Sequence, residues 1–233
     1  MKKLVLLLIL ALLFSCGRKT PPLPIEKSIP KDPDLNIEVT PMGFNLWITL
    51  PTETKEGRYL TKIKALIIEK EEIPLDGSKK SKSKTIKLSP KLHTAANLIL
   101  YTDRALKPNY AYKYKLKIEK DFLVKTPYTE ERIVFWTTPP MPPSNFQIIT
   151  YSQREILITW EPPLLNLNGE PLKGEIIYRL EERVRGEKRV KEIKERQILT
   201  KVSKEGACFS VQALLKFYDT FIPSPPSEVL CIP

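Results

Sequence analysis

Short runs in which apolar and polar residues alternate recur along the C-terminal half of the chain. Ile156, Ile158 and Trp160 form one such run, and the alternate positions from 209 to 213 form another. A period of two is typical of a β-strand with one buried face, and stretches with the period of an amphipathic helix are almost lacking. The pattern predicts antiparallel sheets and an all-β body.

The N-terminal half shows the same alternation most regularly between residues 110 and 118. The even positions carry tyrosine and aliphatic side chains and are predicted to face the core, while the lysines between them face solvent. The inward positions are Tyr110, Tyr112, Tyr114, Leu116 and Ile118.

Proline divides this all-β body into two parts. The chain has 22 Pro and only 8 Gly in 233 residues, and proline is confined to linkers, turns and strand edges. The stretch TTPPMPPS at residues 137–144 therefore predicts a stiff linker. We expect one domain over residues 35–138, a linker over 139–144 and a second domain over 145–233.

Several motifs in these two parts resemble the fibronectin type III domain. Trp160 is followed by Glu-Pro-Pro, Tyr178 lies in the next strand, and a Ser-Pro-Pro-Ser stretch at 224–227 precedes the last strand. In the first part, the stretch LKPNYAY at 106–112 resembles the motif whose final tyrosine, here Tyr112, bonds back to nearby backbone. The resemblance implies two tandem immunoglobulin-like β-sandwiches. Two positions depart from it: Leu50 replaces a core tryptophan, and Ala207 replaces the second corner tyrosine.

The first fifteen residues have the three parts of a secretion signal. Two lysines precede an apolar run over residues 4–14, which is too short to span a bilayer. The run Leu-Phe-Ser-Cys at 13–16 resembles the bacterial lipobox, which implies cleavage after residue 15 and a covalent lipid on Cys16. An ordinary secretory signal with an incidental cysteine is the alternative.

Residues 16–34 are predicted to form an extended, proline-rich tether between the lipid and the folded body. Gly17 rather than aspartate follows Cys16, which by resemblance to enterobacterial sorting favours the outer membrane over the inner. We expect a protein of the cell envelope that is held on the membrane by its lipid and faces the periplasm, with the cell exterior as the alternative.

The other two cysteines lie in the last part of the chain. If the final strands form an antiparallel hairpin about positions 219 and 220, Cys208 falls nearly opposite Cys231. An oxidising envelope would then join them in a disulfide, whereas a reducing habitat would leave two free thiols.

Candidate chemistry is sparse. His93 is the single histidine and stands in a polar stretch, and we found no metal-ligand cluster, phosphate loop or nucleophile elbow. We therefore expect no catalytic residue, no metal and no cofactor other than the lipid on Cys16. An enzyme would need a pocket between the two domains lined by paired carboxylates.

The remaining indication of function is charge, because the formal net charge is +11. Lysines of a predicted hairpin and of the strand at 113–117 could form one basic sheet face that binds anionic polysaccharide or lipid. The alternative is a solvated edge whose lysines discourage strand pairing. An exported protein does not meet nucleic acid, so the main expectation is a scaffold that binds another envelope protein. The candidate basic residues are Lys79, Lys80, Lys82, Lys84, Lys87, Lys113, Lys115 and Lys117.

Overall fold

The structure is a computed structural model that describes residues 28–77, 80–90, 97–152, 155–201 and 206–232. The described residues form fifteen β-strands, and none of them lies in a helix long and apolar enough to cross a membrane. The strands are β1 (Asp34–Thr40), β2 (Gly43–Thr49), β3 (Ala65–Pro74), β4 (Lys82–Leu88), β5 (Leu98–Asp103), β6 (Tyr110–Glu119), β7 (Arg132–Trp136), β8 (Ser144–Thr150), β9 (Glu155–Glu161), β10 (Ile176–Val184), β11 (Glu187–Ile193), β12 (Gln197–Lys201), β13 (Ala207–Phe217), β14 (Thr220–Pro223) and β15 (Leu230–Ile232).

The strands form two β-sandwiches in tandem. In the first unit, which contains β1 to β7, a sheet of order β1-β2-β5 packs against a sheet of order β4-β3-β6-β7. In the second unit, which contains β8 to β15, the order β12-β9-β8 faces β11-β10-β13-β14, and β15 also pairs with β13. All of these pairings are antiparallel. The prediction of two immunoglobulin-like, fibronectin type III-like sandwiches is confirmed.

The core of the first unit follows the alternation of its strands. Tyr112, Tyr114, Leu116 and Ile118 are fully buried as predicted, and Tyr110 is half-buried at the start of β6. Leu50 is buried at the position where the resemblance leads one to expect tryptophan. An indole nevertheless enters this core from β7: the Trp136 and Phe44 rings meet edge to face, with centroids 5.3 Å apart.

Tyr112 is the corner tyrosine of the first unit. Its hydroxyl accepts a hydrogen bond of 2.5 Å from the backbone N–H of Lys107. In the second unit, Ala207 occupies the start of β13 and is buried opposite Ile232. Trp160 and Tyr178 instead form the large aromatic contact of that core, with ring centroids 5.3 Å apart.

Two short motifs complete the sheets where proline cannot donate a hydrogen bond. In the second unit, the backbone N–H groups of Ala213 and Val211 donate to the hydroxyls of Ser224 and Ser227 at 2.9 and 3.0 Å. The N–H groups of the same two serines donate to the carbonyls of Ala213 and Val211. Each serine thus makes, through its hydroxyl and its backbone N–H, the two hydrogen bonds that a residue of a neighbouring strand would make.

Thr126 and Thr129 do the same in the first unit. Their hydroxyls accept hydrogen bonds from the N–H groups of Ile118 and Leu116, and their own N–H groups donate back to the same residues. The motif is therefore a structural repeat, with a hydroxyl residue at the first and fourth positions and proline at the second.

The two units pack directly on one another. The rings of Phe135 and Tyr218 stack at 4.8 Å, and the Phe135 N–H donates to the Thr220 hydroxyl at 3.0 Å. Leu215 and Ile222 of the second unit join the hydrophobic cluster of the first. The turn between β13 and β14 is thus covered by the preceding unit.

The segment that enters each unit is held in the same way. Residues 139–141 of the predicted linker pair with residues 165–167, and residues 29–31 of the predicted tether pair with residues 53–55. Proline fits in these segments because it lacks a backbone N–H and takes part only as a hydrogen-bond acceptor. The Pro139 carbonyl, for example, accepts a hydrogen bond of 2.9 Å from the Leu167 N–H. The last part of the tether and the first part of the linker therefore belong to the folded units.

Candidate binding surfaces

The predicted basic lysines do not share one face. Lys79 lies outside the described residues, and Lys80 is exposed just before β4. On β4, Lys82 and Lys84 stand opposite Glu72 and Lys70, whereas Lys87 stands opposite Ile67, on the other side of the sheet. Even and odd positions of one strand point to opposite faces, so this part of the prediction of a single basic face is wrong.

Lys113, Lys115 and Lys117 do lie on the outward face of β6, but two of them are paired with glutamates. Lys113 Nζ lies 3.0 Å from Glu131 Oε2, and Lys115 Nζ lies 3.2 Å from Glu69 Oε1. These hydrogen bonds raise the pKa of both lysines, and the Lys113 bond lowers the pKa of Glu131. The positive charge of this face is therefore locally neutralised.

Lys117 and Lys87 complete the same outward face. Lys117 Nζ lies 5.2 Å from the centre of the Tyr128 ring. Lys87 Nζ lies 2.9 Å from Glu119 Oε2, and the hydrogen bonds from Lys87 and then Lys125 lower the pKa of Glu119 to about 2. Positive and negative side chains alternate on this surface, so it is not uniformly basic.

Cys208 and Cys231 form the predicted disulfide. They are directly opposite each other on β13 and β15, with Cα atoms 4.0 Å apart and sulfurs 2.02 Å apart. The turn at residues 218–219 pairs β14 with β13 in a register that would by itself place Val229 opposite Cys208. The Ser224–Ser227 stretch then shifts the register by two residues, so that β15 places Cys231 opposite Cys208. The disulfide is confirmed.

A buried charged cluster lies inside the first unit and was not predicted. Lys70 and Asp103 are only 3% and 4% exposed, and Lys70 Nζ lies 2.7 Å from Asp103 Oδ2. Lys70 also donates to the Ala105 carbonyl at 2.9 Å and lies 4.6 Å from the centre of the Tyr112 ring. Tyr114 Oη donates to Asp103 Oδ2 at 2.7 Å.

This cluster is satisfied internally. Asp103 Oδ1 accepts the Ala105 N–H, so both carboxylate oxygens are occupied. Burial, followed by the charge of Asp103, raises the pKa of Tyr114. The arrangement fixes the turn after β5 against the core and offers no group to a solvent-borne substrate. Its signal in the sequence is Lys70 at a position that shares the inward face of Leu66 and Ile68.

A second feature missed by the sequence analysis is the outer strand β5. Its six residues, LILYTD, contain no Lys, Arg, Glu or Pro, and Leu98 and Leu100 are exposed. Leu100 pairs with Trp47 of β2 on the outward face of the sheet. The edges β4 and β11 carry several charged side chains, and the uncharged edge β8 has an irregular register between Ser144 and Gln147. β5 lacks these safeguards against pairing with another chain.

Trp47, Leu98 and Leu100 form an apolar patch on this outward face, the Trp47 patch. Polar side chains border it in a fixed arrangement. Glu38 Oε2 accepts hydrogen bonds from Trp47 Nε1 at 3.0 Å and Asn45 Nδ2 at 3.2 Å. Asn45 Oδ1 in turn accepts the Thr102 hydroxyl at 3.0 Å. The indole is therefore held in place, beside an apolar centre with a polar rim.

Two of the clefts formed by the described residues lie between the units. The larger, of about 560 Å³, is lined by Asn109, Thr138, Asn166, Glu170 and Phe217, among others. Glu170 there accepts a hydrogen bond from Asn166 at 2.9 Å.

The smaller cleft, of about 320 Å³, contains Glu38 and Glu192. Glu38 is held by Trp47 and Asn45, and Glu192 lies 3.0 Å from Arg179. Both glutamates of this cleft thus bond to other side chains.

Among the described ranges, no group of three or more His, Cys, Asp or Glu side chains could hold a metal ion. His93, the apolar run at 4–14 and Cys16 lie outside the described residues. Their predicted roles stay predictions.

Comparison with known protein families and with curated protein sequences found no match. Among solved structures, the chain is similar to a crystal structure of the chicken CNTN1 FN1-FN3 domains. The sequences are 15% identical, the TM-score is 0.44, and the likeness covers 88% of this chain and 67% of that one.

Proposed function

We propose that this chain is a non-enzymatic, lipid-anchored scaffold of the cell envelope that binds another protein through β5 and the adjoining Trp47 patch. The observation that carries the proposal is the outer strand β5, which exposes Leu98 and Leu100 and whose one charged side chain, Asp103, is buried. An exposed strand edge offers unpaired backbone groups to an extended partner segment, and alternate side chains give specificity.

The composition of the patch favours a protein partner over an anionic polymer. Aromatic residues and depletion of charge mark the centre of protein interfaces, and a polar rim surrounds them. Trp47, Leu98 and Leu100 supply such a centre, and Glu38 and Asn45 lie at its rim. The basic strand β6 offers the polymer less than its sequence indicates, because Glu69 and Glu131 pair with its lysines.

Membrane attachment through Cys16 is part of the proposal. Several acyl chains would hold the protein on the bilayer almost irreversibly. The lipobox-like run supports this anchor, and Gly17 supports the outer membrane over the inner.

The test is crosslinking in intact cells, followed by membrane extraction, affinity purification and mass spectrometry. Leu100→Lys adds a charge to the β5 edge and should abolish capture of the dominant protein partner. Leu199→Lys is the matched control, because Leu199 is also 48% exposed and lies on the outer strand β12 of the second unit. Capture should survive in this control.

Three results would each contradict part of the proposal. Unchanged capture by the Leu100→Lys protein would exclude the β5 edge, and salt-sensitive recovery of anionic glycan without a protein would favour polysaccharide binding. A Cys16→Ser protein that is still processed and membrane-bound would remove the lipid anchor.

A further inference from the structure

The turn that follows β6 presents two large apolar side chains to solvent. Phe122 is 81% exposed and Leu123 is 70% exposed. The backbone beneath them is fixed, because Asp121 Oδ1 accepts the N–H groups of Leu123 and Val124 at 2.9 and 2.8 Å. Val124 is buried. The turn is therefore a shaped projection with an apolar tip.

The chain enters the first unit at the same end as this turn. The Lys55 N–H donates to the Ile29 carbonyl, and the Lys64 N–H, at the end of the same loop, donates to the Glu119 carbonyl at the end of β6. Cys16 precedes Ser28 by twelve residues. At about 3.1 Å per residue, an extended segment of that length spans at most about 40 Å. A lipid on Cys16 would keep this end of the first unit close to the bilayer.

Lysines surround the apolar tip. Lys62 and Lys64 are exposed on the loop before β3, and Lys120 and Lys125 flank the turn itself. Lys64 Nζ lies 6.0 Å from the centre of the Phe122 ring. The carboxylates of Glu119 and Asp121 lie among these lysines, and Lys125 Nζ is 3.0 Å from Glu119 Oε1. The apolar tip with the exposed cations of Lys62 and Lys64 beside it is complementary to a surface of anionic headgroups above hydrocarbon.

In the second unit, the corresponding turn packs against the first unit. Its turn between β13 and β14 places Tyr218 on the ring of Phe135 in the first unit. Both turns join a central strand to the hydroxyl motif that pairs with it. Only the first-unit turn points toward the side on which the anchor is expected.

We propose that Phe122 and Leu123 dock into the headgroup region of the anionic bilayer that carries the lipid anchor, which orients the first unit on the membrane. The inference rests on the proposed anchoring through Cys16. Phe122 and Leu123 supply the apolar contact, and Lys62, Lys64 and Lys120 supply the attraction to lipid phosphate.

The test uses the full mature lipidated protein in vesicles of phosphatidylethanolamine and phosphatidylglycerol with brominated acyl chains. Bromine quenches tryptophan fluorescence on contact, so Phe122→Trp reports whether the tip enters the bilayer. Tyr151→Trp is the matched control, because Tyr151 is an aromatic residue that is 68% exposed in the turn between β8 and β9. The signal of the unmodified protein, which already has three tryptophans, is subtracted.

We expect a loss of fluorescence for Phe122→Trp that exceeds the loss for Tyr151→Trp and decreases when phosphatidylcholine replaces phosphatidylglycerol. Equal quenching of the two variants in protein that floats with the vesicles would overturn the docking inference and leave the anchor intact. Protein that fails to float would refute the anchor, and the docking inference with it.

Discussion

Lys70 occupies a position of β3 where the inward face of the sheet is otherwise apolar. Alternation predicts the direction of a side chain but not its partner, so the neighbouring tyrosines could be assigned to the core and the Lys70–Asp103 pair could not. Asp103 comes from another sheet and is 33 residues away in sequence. Tyr112 was predictable because its motif is local, and its bonding partner Lys107 lies within the same stretch.

Removing one member of this buried pair should be more harmful than replacing both. Lys70→Met leaves the Asp103 carboxylate without its cation, and we expect a loss of about 3–5 kcal/mol in the free energy of unfolding. The double variant Lys70→Met with Asp103→Leu should recover much of that loss. Urea unfolding of the two variants and the unmodified protein measures both terms. A double variant no more stable than Lys70→Met would contradict the ion-pair explanation.

At the level of elements, the sequence predicts the class of the elements and their antiparallel pairing better than the chemistry of the strand edges. The disulfide was predicted from a turn at positions 219 and 220, whereas the turn lies at 218–219 and a two-residue shift in the Ser224–Ser227 stretch restores the predicted register. The prediction of one basic face is wrong because Lys82 and Lys84 lie at even positions of β4 and Lys87 lies at an odd position, so their side chains point to opposite faces of the sheet. The glutamates of β3 that neutralise β6 could be assigned only after the pairing of those two strands was known.

The hydroxyl motif yields a prediction for strand β13. Ser224→Ala removes the acceptor of the buried Ala213 N–H, and we expect the free energy of unfolding to fall by about 1–3 kcal/mol. Ser224→Thr keeps the hydroxyl and is the matched control, since threonine fills the equivalent position 126 in the first unit. The comparison is made by urea unfolding, and a Ser224→Ala protein as stable as the unmodified protein would contradict a contribution from this hydrogen bond.

At the scale of the whole molecule, the connection between the two units is held by contacts on both of its sides. The Met141 N–H bonds to Leu165, and Tyr218 stacks on Phe135 across the junction. Proline composition predicted a stiff connection, but the aromatic contact depends on residues far apart in sequence and could not be predicted from local patterns.

Tyr218→Ala should loosen this junction without unfolding either unit. We expect the radius of gyration and maximum dimension from small-angle X-ray scattering to increase. Tyr151→Ala removes a comparably exposed ring from the turn between β8 and β9 and should leave both values unchanged. Identical scattering by the two variants would show that the Phe135 contact does not set the angle between the units.

The bond between Cys208 and Cys231 also decides how the chain carries mechanical load. A pulling force applied at the C-terminal end reaches residue 231 and passes through the sulfurs directly to β13. The 23-residue separation between the cysteines amounts to roughly 80 Å of extended chain that tension cannot draw out. The closing strand of the second unit cannot be peeled away by itself, so elongation under load must begin elsewhere in the molecule, where no covalent bond bridges the strands that the structure describes.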